Sequence, residues 1–418
     1  MLNLVFMAAL GGLLMGVLFW RWRLGVYALM ALLPFENIFV FGAFRGGLKV
    51  LIGTTVLAML LDVYLRPSSR QQFQAVLTNK TFLLTVAFTA WAVFSTVWAV
   101  FPDAALSKST SFVGVTTLVV LLGMLVPTQL KTAWTLLIIA GIISVIQGVA
   151  QGSFSDLNGR FIGAGEDPNE YAGLLLTLGA VVVYGRSKLK VWMFVPAVIL
   201  LFGSLLTQSR AGLVALLATP LVALIILVLR RAVGLKTLSA TFIVYIFAGI
   251  LVISATALWP NLQSTLFSRA SSLNNYADPD TWAGRLGIWA GGFRMWSEHK
   301  WLGVGAGNFG FLSPDYSLEA AALARAKGVA VAHNTYLSNL AELGVVGLGI
   351  FVCLMWTLIS RTSRLAANIP FARAILVGSV VILVMAITLS LEYSKILYVL
   401  VGSQIALMIS AEQCEIDV

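Results

Sequence analysis

The sequence predicts an all-α integral membrane protein, a polytopic bundle of about 12 transmembrane helices with one long extracytoplasmic loop containing amphipathic helices. Composition is the first reason. Only 11% of the 418 residues are charged and 59% are hydrophobic, against roughly 25% charged in a soluble domain. With a mean hydropathy of +0.94, there is too little polarity to wet a globule of this size. Run length is the second reason, because apolar stretches able to cross a ~30 Å hydrocarbon core recur along the chain. The third is their spacing. Short connections make antiparallel neighbours, and irregular backbone cannot face lipid.

In chain order the apolar runs fall at 2–20, 24–42, 47–65, 82–100, 111–126, 131–150, 171–185, 191–207, 210–229, 238–257, 334–360 and 371–390. A shorter run, 396–411, is either a thirteenth span or a continuation of the twelfth. The first run has no basic flank before it and no small-residue cleavage site before Arg21, so it reads as a span rather than a signal peptide. Residues 1–257 then hold helices one to ten and 258–333 the long loop. Residues 334–418 hold the C-terminal helices and a short cytoplasmic tail. No internal repeat is evident, which disfavours a transporter built from duplicated halves.

The basic residues set the orientation. Arg21, Arg23, Arg66, Arg70, Lys80, Lys131, Arg186, Lys188, Lys190, Arg230, Arg231, Lys236, Arg361, Arg364 and Arg373 fall on one side. The opposite short connections hold only Arg45, Lys49, Lys108, Arg160, Arg210 and Lys395. The first set is therefore expected in the cytoplasm. The long loop, the 151–170 segment and the Gln208–Ser209–Arg210 turn are expected outside. Scattered between apolar runs, the net charge of +10 orients a membrane protein and does not point to nucleic acid. Cys353 and Cys414 are too far apart to suggest a disulfide framework or a metal site.

Within the long loop, Trp282, Leu286, Trp289, Phe293 and Trp296 recur at helical spacing. The stripe predicts a helix that either lies in the membrane interface or packs onto the bundle, and either way holds Arg285 near the surface. Arg210 opens the apolar run Ala211–Leu229 after a very short turn. An arginine at a helix N-terminus is an anion site suited to phosphate or diphosphate, although an isolated one more often snorkels to headgroups. His333 precedes Asn334, a candidate N-cap for the run that begins Thr335–Tyr336–Leu337. A lone histidine at a membrane surface is usually a bystander, yet a helix N-terminus favours the neutral imidazole that a general base requires. Glu342, two turns on, reads equally as a structural contact or a site residue. In Arg160–Tyr171, Asp167, Asn169 and Glu170 read as a helix cap, with sugar hydroxyls as alternative partners. His299 reads as a solvated loop residue and Asp278–Pro279–Asp280 as a turn.

Ser209–Arg210–Ala211–Gly212, Gly284–Arg285–Leu286 with Trp289, Gly303–Val304–Gly305–Ala306–Gly307–Asn308–Phe309, and His333–Asn334–Thr335–Tyr336–Leu337 with Glu342–Leu343–Gly344 together resemble the O-antigen ligase and polymerase superfamily. Asp167–Pro168–Asn169 fits as well. The resemblance implies a GT-C-like, inverting glycosyltransferase in the inner membrane of a Gram-negative bacterium, with its site on the periplasmic face. The donor would be a glycan on undecaprenyl diphosphate. In the favoured ligase branch, the acceptor is the lipid A core of lipopolysaccharide. By the same analogy Arg210 and Arg285 bind the donor diphosphate, with Arg160 an additional contact, and His333 takes the proton of the acceptor hydroxyl. Asp167, Asn169, Asn334 and Tyr336 are candidate glycan or acceptor contacts. No cofactor and no metal is implied, and membrane lipids are the remaining partners. The competing readings are an O-antigen or exopolysaccharide polymerase, a protein O-oligosaccharyltransferase and, outside enzymes, a lipid-linked-glycan flippase.

Overall fold

A computed structural model describes residues 16, 21–35, 47–152, 160–163, 167–185, 194–229, 246, 250 and 282–416. Apart from residues 16, 246 and 250, the runs 2–20 and 238–257 lie outside the described residues, as do part of 24–42 and the Asp278–Asp280 turn. What is described is an all-α polytopic membrane protein with no sheet. Seven of its helices are long and apolar enough to cross a membrane, and three shorter apolar ones accompany them.

The described helices are α1 (Trp22–Leu32), α2 (Gly47–Leu65), α3 (Pro67–Thr78), α4 (Lys80–Phe94), α5 (Pro102–Gly123), α6 (Pro127–Gln151), α7 (Pro168–Tyr184), α8 (Phe194–Leu206) and α9 (Arg210–Leu229). A cap of α10 (Trp282–Glu298), α11 (Phe309–Tyr316) and α12 (Leu318–Lys327) follows. Then come α13 (Thr335–Leu365), α14 (Pro370–Met385) and α15 (Lys395–Ile416). Local signals start many of them. Asn79, Asp167, Ser317 and Asn334 each accept a backbone N–H of the first turn, which satisfies donors that would otherwise be orphaned. Pro67, Pro102, Pro127, Pro168 and Pro370 stand at helix starts, where a missing N–H costs nothing.

Two expectations change, and one open alternative is decided. The run expected to begin at 111 is a helix from Pro102. Its polar first turns are tolerated because their hydroxyls are satisfied: Ser109 Oγ donates to Ala92 O and Thr110 Oγ1 to Ser107 O. The stretch after Arg66, expected as a connecting loop, is the polar helix α3. Of the two alternatives for the run 396–411, a separate span agrees with the structure. The run belongs to the separate 22-residue helix α15, the most buried of the long apolar helices. Its buried Ser403 accepts the indole N–H of Trp134 at 2.9 Å, which lets a polar residue sit in the core.

Helix α14 packs against α7 and α9, α15 against α5, and α13 against α4. In the cap, α10 leans on α11, α12 and α13. The face it buries is Gly284, Ile288, Gly291, Gly292 and Met295, while Leu286 and Phe293 of the aromatic stripe are exposed. Small residues let it approach closely: a Cβ on Gly292 would lie 3.0 Å from Phe309 and Leu337. Leu286 and Phe293 of the stripe thus face outward, Trp289 and Trp296 are half-buried, and the packing face is the glycine-rich one.

Candidate active site

The turn before α9 is built from buried polar residues. Thr207, Gln208 and Ser209 are all buried, and Gln208 adopts φ 53°. Ser209 Oγ accepts the Gly212 N–H at 3.1 Å, capping the helix that Arg210 opens. The same hydroxyl donates to Asn169 Oδ1 at 2.9 Å, and Arg160 Nη2 donates to that oxygen at 2.8 Å. Arg160 Nε also donates to Thr207 O at 3.1 Å. Arg160, Asn169, Ser209 and Arg210 thus form one group. Asp167, whose Oδ1 accepts the amides of Asn169 and Glu170, is the N-cap of α7.

A second group surrounds His333, which adopts φ 48°. Asn334 Oδ1 accepts the Leu337 N–H at 3.0 Å, as an N-cap should. Trp289 Nε1 donates to Ala332 O at 2.9 Å, pinning the residue before the histidine to α10. Thr335 takes hold of the segment between α14 and α15. Its N–H donates to Ala386 O, its hydroxyl donates to Leu389 O at 2.7 Å, and that hydroxyl accepts the Leu391 N–H at 2.8 Å. Arg285 Nη1 donates to Thr388 O of the same segment at 3.1 Å. Arg285 and Thr335, two residues after His333, are therefore held by one stretch, 386–394. That stretch had been expected, in part, as the end of an apolar span, but α14 stops at Met385. Tyr336 packs into the core, its ring 6.2 Å from that of Phe351.

Both groups stand at one end of the bundle. A Cβ on Gly212 would meet Ala172 at 3.1 Å, and one on Gly173 would meet Met385 at 3.1 Å. This places the first turns of α7 and α9 beside the end of α14, where 386–394 begins. Charge tells the same story at Tyr393. The Lys108 cation pulls its phenol down, burial and the carboxylates of Glu392, Glu170 and Glu342 push it up, and the net direction is up. Glu170 stands in the first turn of α7. Among the described residues, Gln208 and His333 are the non-glycine residues with left-handed backbone. Such strain concentrates at functional sites, and here it marks both motif turns. Arg210, Arg285 and His333 are each half-buried.

The glycine segment 303–307 has a structural task. At Gly344 α13 breaks (φ 68°, ψ −171°), and any Cβ there would run into the Trp301 carbonyl. Val304 and Gly305 donate to Ala341 O and Glu342 O at 3.0 and 2.8 Å. The buried Glu342 carboxylate accepts the amides of Gly307 at 2.8 Å and Phe309 at 3.2 Å. Glu342 thus makes a structural contact, in line with the first of its two readings. Asp62, which falls within the apolar run 47–65, meets Arg66, Trp22 and Ser69 at the opposite, basic end. In the cap, Tyr316 Oη donates to Glu298 at 2.6 Å. That bond, then burial, then the charges of Glu298 and Asp315 push the phenol up to about 12. His299 is exposed, as expected.

Sequence reasoning missed Lys108 and Glu392, whose ion pair at 2.9 Å lies beneath the second group. The available signal was a lysine two turns inside a helix whose polar start had been assigned to a loop.

No curated protein matches the chain. A family model described as O-antigen ligase matches residues 195–352, a stretch that contains Arg210, Arg285, the glycine segment, His333 and Glu342. Over that stretch the chain carries a domain of the O-antigen ligase and polymerase family.

Proposed function

We propose that the protein is an O-antigen ligase, a metal-independent inverting glycosyltransferase that moves a glycan from undecaprenyl diphosphate to the lipid A core at the periplasmic face of the inner membrane. The observation that carries the reading is the common anchorage on 386–394 of Arg285 and of Thr335, two residues after His333, at the bundle end that also holds Arg210. In the reaction the acceptor hydroxyl oxygen attacks the anomeric carbon from the face opposite the diphosphate. The bond to the diphosphate oxygen breaks, that oxygen keeps the electron pair, and the hydroxyl proton passes to the His333 imidazole. Negative charge grows on the departing diphosphate, so guanidinium groups fixed beside it favour the transition state over the ground state. Arg210 at its helix N-terminus and Arg285 take this role. Arg160 acts from behind, through Thr207 and Asn169, and adds a donor contact. Asp167, Asn169, Asn334 and Tyr336 remain acceptor or glycan contacts in this proposal, with Asp167 and Asn334 also capping their helices.

The basic ends of α1, α2, α13 and α14 support a cytoplasmic assignment for the opposite face. Glu342 and Asp62 are both satisfied within the protein, which argues against a charged path for a flippase. Supplying purified protein and one lipid-linked donor with lipid A core, a second donor molecule or a serine-containing peptide tests the acceptor. Product on the core supports the ligase reading. Chain extension or glycopeptide in its place overturns it.

A further inference from the structure

Beneath the second group lies a buried ion pair that the reaction scheme leaves unused. Lys108 Nζ is 2.9 Å from Glu392 Oε1, and the Glu392 side chain is only 1% exposed. Ser338 Oγ donates to the same oxygen at 3.0 Å, and Tyr398 Oη donates to the Glu392 carbonyl at 2.9 Å. The ammonium sits 4.2 Å from the centroid of the Tyr393 ring. Glu392 Oε2 is buried with no hydrogen-bond partner among the described residues. Burying two charges is expensive, and such a pair adds little stability over apolar side chains of the same shape. Its location supplies a reason to keep it. Glu392 lies near the end of the segment that receives Arg285 at Thr388 and Thr335 at Ala386, Leu389 and Leu391. Lys108 ties that segment to α5 and sits against the glycine loop, where a Cβ on Gly307 would lie 3.1 Å from Lys108 Cβ.

We propose that the Lys108–Glu392 pair is a positioning device: it fixes 386–394, and through it the placement of Arg285 and His333 relative to each other. The claim rests on the roles given above to Arg285 and His333. Neither member of the pair touches the reacting atoms. Without the pair, the segment is held on the α5 side by packing alone, and the carbonyls that receive Arg285 and Thr335 shift. A displacement of about 1 Å at a reacting group can cost about 100-fold in rate.

The test is a paired-variant comparison on the full chain in lipid nanodiscs. Lys108→Met, Glu392→Gln and the double variant are read by thermal unfolding, by kcat and donor KM, and by carbethoxylation of His333 with diethyl pyrocarbonate. A His299→Gln background removes the other of the two histidines. Each single variant leaves an unpaired buried charge and loses stability as well as kcat. The double variant removes both members of the pair and leaves Glu342 on the amides of Gly307 and Phe309, so it regains thermal stability relative to the single variants. It is nevertheless expected to keep kcat more than about tenfold below wild type with donor KM within about twofold. The His333 carbethoxylation rate is expected to change more than about threefold in the double variant. Lys108→Arg retains the charge and is expected to keep wild-type His333 reactivity. A double variant that recovers kcat together with stability makes the pair merely structural and overturns the proposal. So does His333 reactivity that is unchanged in the double variant, or shifted in Lys108→Arg as far as in Lys108→Met. Carbethoxylation does not depend on turnover. A wild-type protein that transfers no glycan would defeat the functional reading, and the reactivity of His333 would still decide the positioning claim.

Discussion

Arg285 donates to the carbonyl oxygen of Thr388 at 3.1 Å across 103 residues of chain. The bond joins the cap helix α10 to the segment between α14 and α15, which also carries the start of α13. One guanidinium N–H is thus spent on its own placement, and the planar fork is held in a fixed direction.

Replacing Arg285 with alanine is expected to lower kcat by about 100- to 1000-fold, the usual cost of removing one donor to a developing anion. Lysine restores the charge without the fork and should fall between the two. Initial rates of glycan transfer by the purified variants measure this, with thermal unfolding as the control for folding.

Asn169 Oδ1 is the shared acceptor of Arg160 and Ser209. Asn169→Ala should destabilise the protein by about 2 kcal/mol, since one of the two lost bonds involves a charged donor. The turn that presents Arg210 loosens, and donor KM should rise. Asn169→Asp keeps an acceptor oxygen at that place and should retain most of the stability. Unfolding midpoints and donor titrations for the two variants separate these outcomes.

Trp289→Phe removes the indole N–H that holds Ala332 O at 2.9 Å. Leaving the carbonyl of the buried Ala332 without this donor should cost about 1–3 kcal/mol of stability. Because the bond holds the residue before His333, kcat should drop several-fold with donor KM unchanged. A fall in stability with kcat unchanged would place Trp289 in packing alone.

Gly344→Ala puts a Cβ onto a left-handed backbone facing the Trp301 carbonyl and should prevent recovery of folded protein. Gly349→Ala, in the same helix with open space around it, should be neutral or stabilising by up to about 1 kcal/mol. Expression yield and monodispersity in detergent report both.

The sequence makes legible what depends on neighbours in the chain. Arg210 and His333 could be placed at helix starts because an apolar run follows each of them, after a short turn in one case and a candidate N-cap in the other. The cap helix could be placed from its aromatic stripe, although its packing face, Gly284, Ile288 and Gly291, carries the weaker small-residue signal. What could not be read depends on partners far along the chain. Segment 386–394 looks like the end of an apolar run, and only the distant Thr335, Arg285 and Ser338 explain why the helix stops at Met385. Glu342 could not be assigned because its partners are backbone amides of Gly307 and Phe309. Lys108 was hidden for a related reason: hydroxyls of Ser109 and Thr110 that find carbonyl partners extend α5 outward past the hydropathy boundary.

The most direct measurement of the central claim is transfer in vitro from undecaprenyl-diphosphate glycan to lipid A core, with EDTA present, by wild-type protein and His333→Ala. The account predicts transfer by the wild type and a loss of at least about 100-fold in the variant, the lower range for a positioned acid–base group. Undiminished transfer by His333→Ala, with folding intact, would remove the histidine from the reaction and contradict the mechanism.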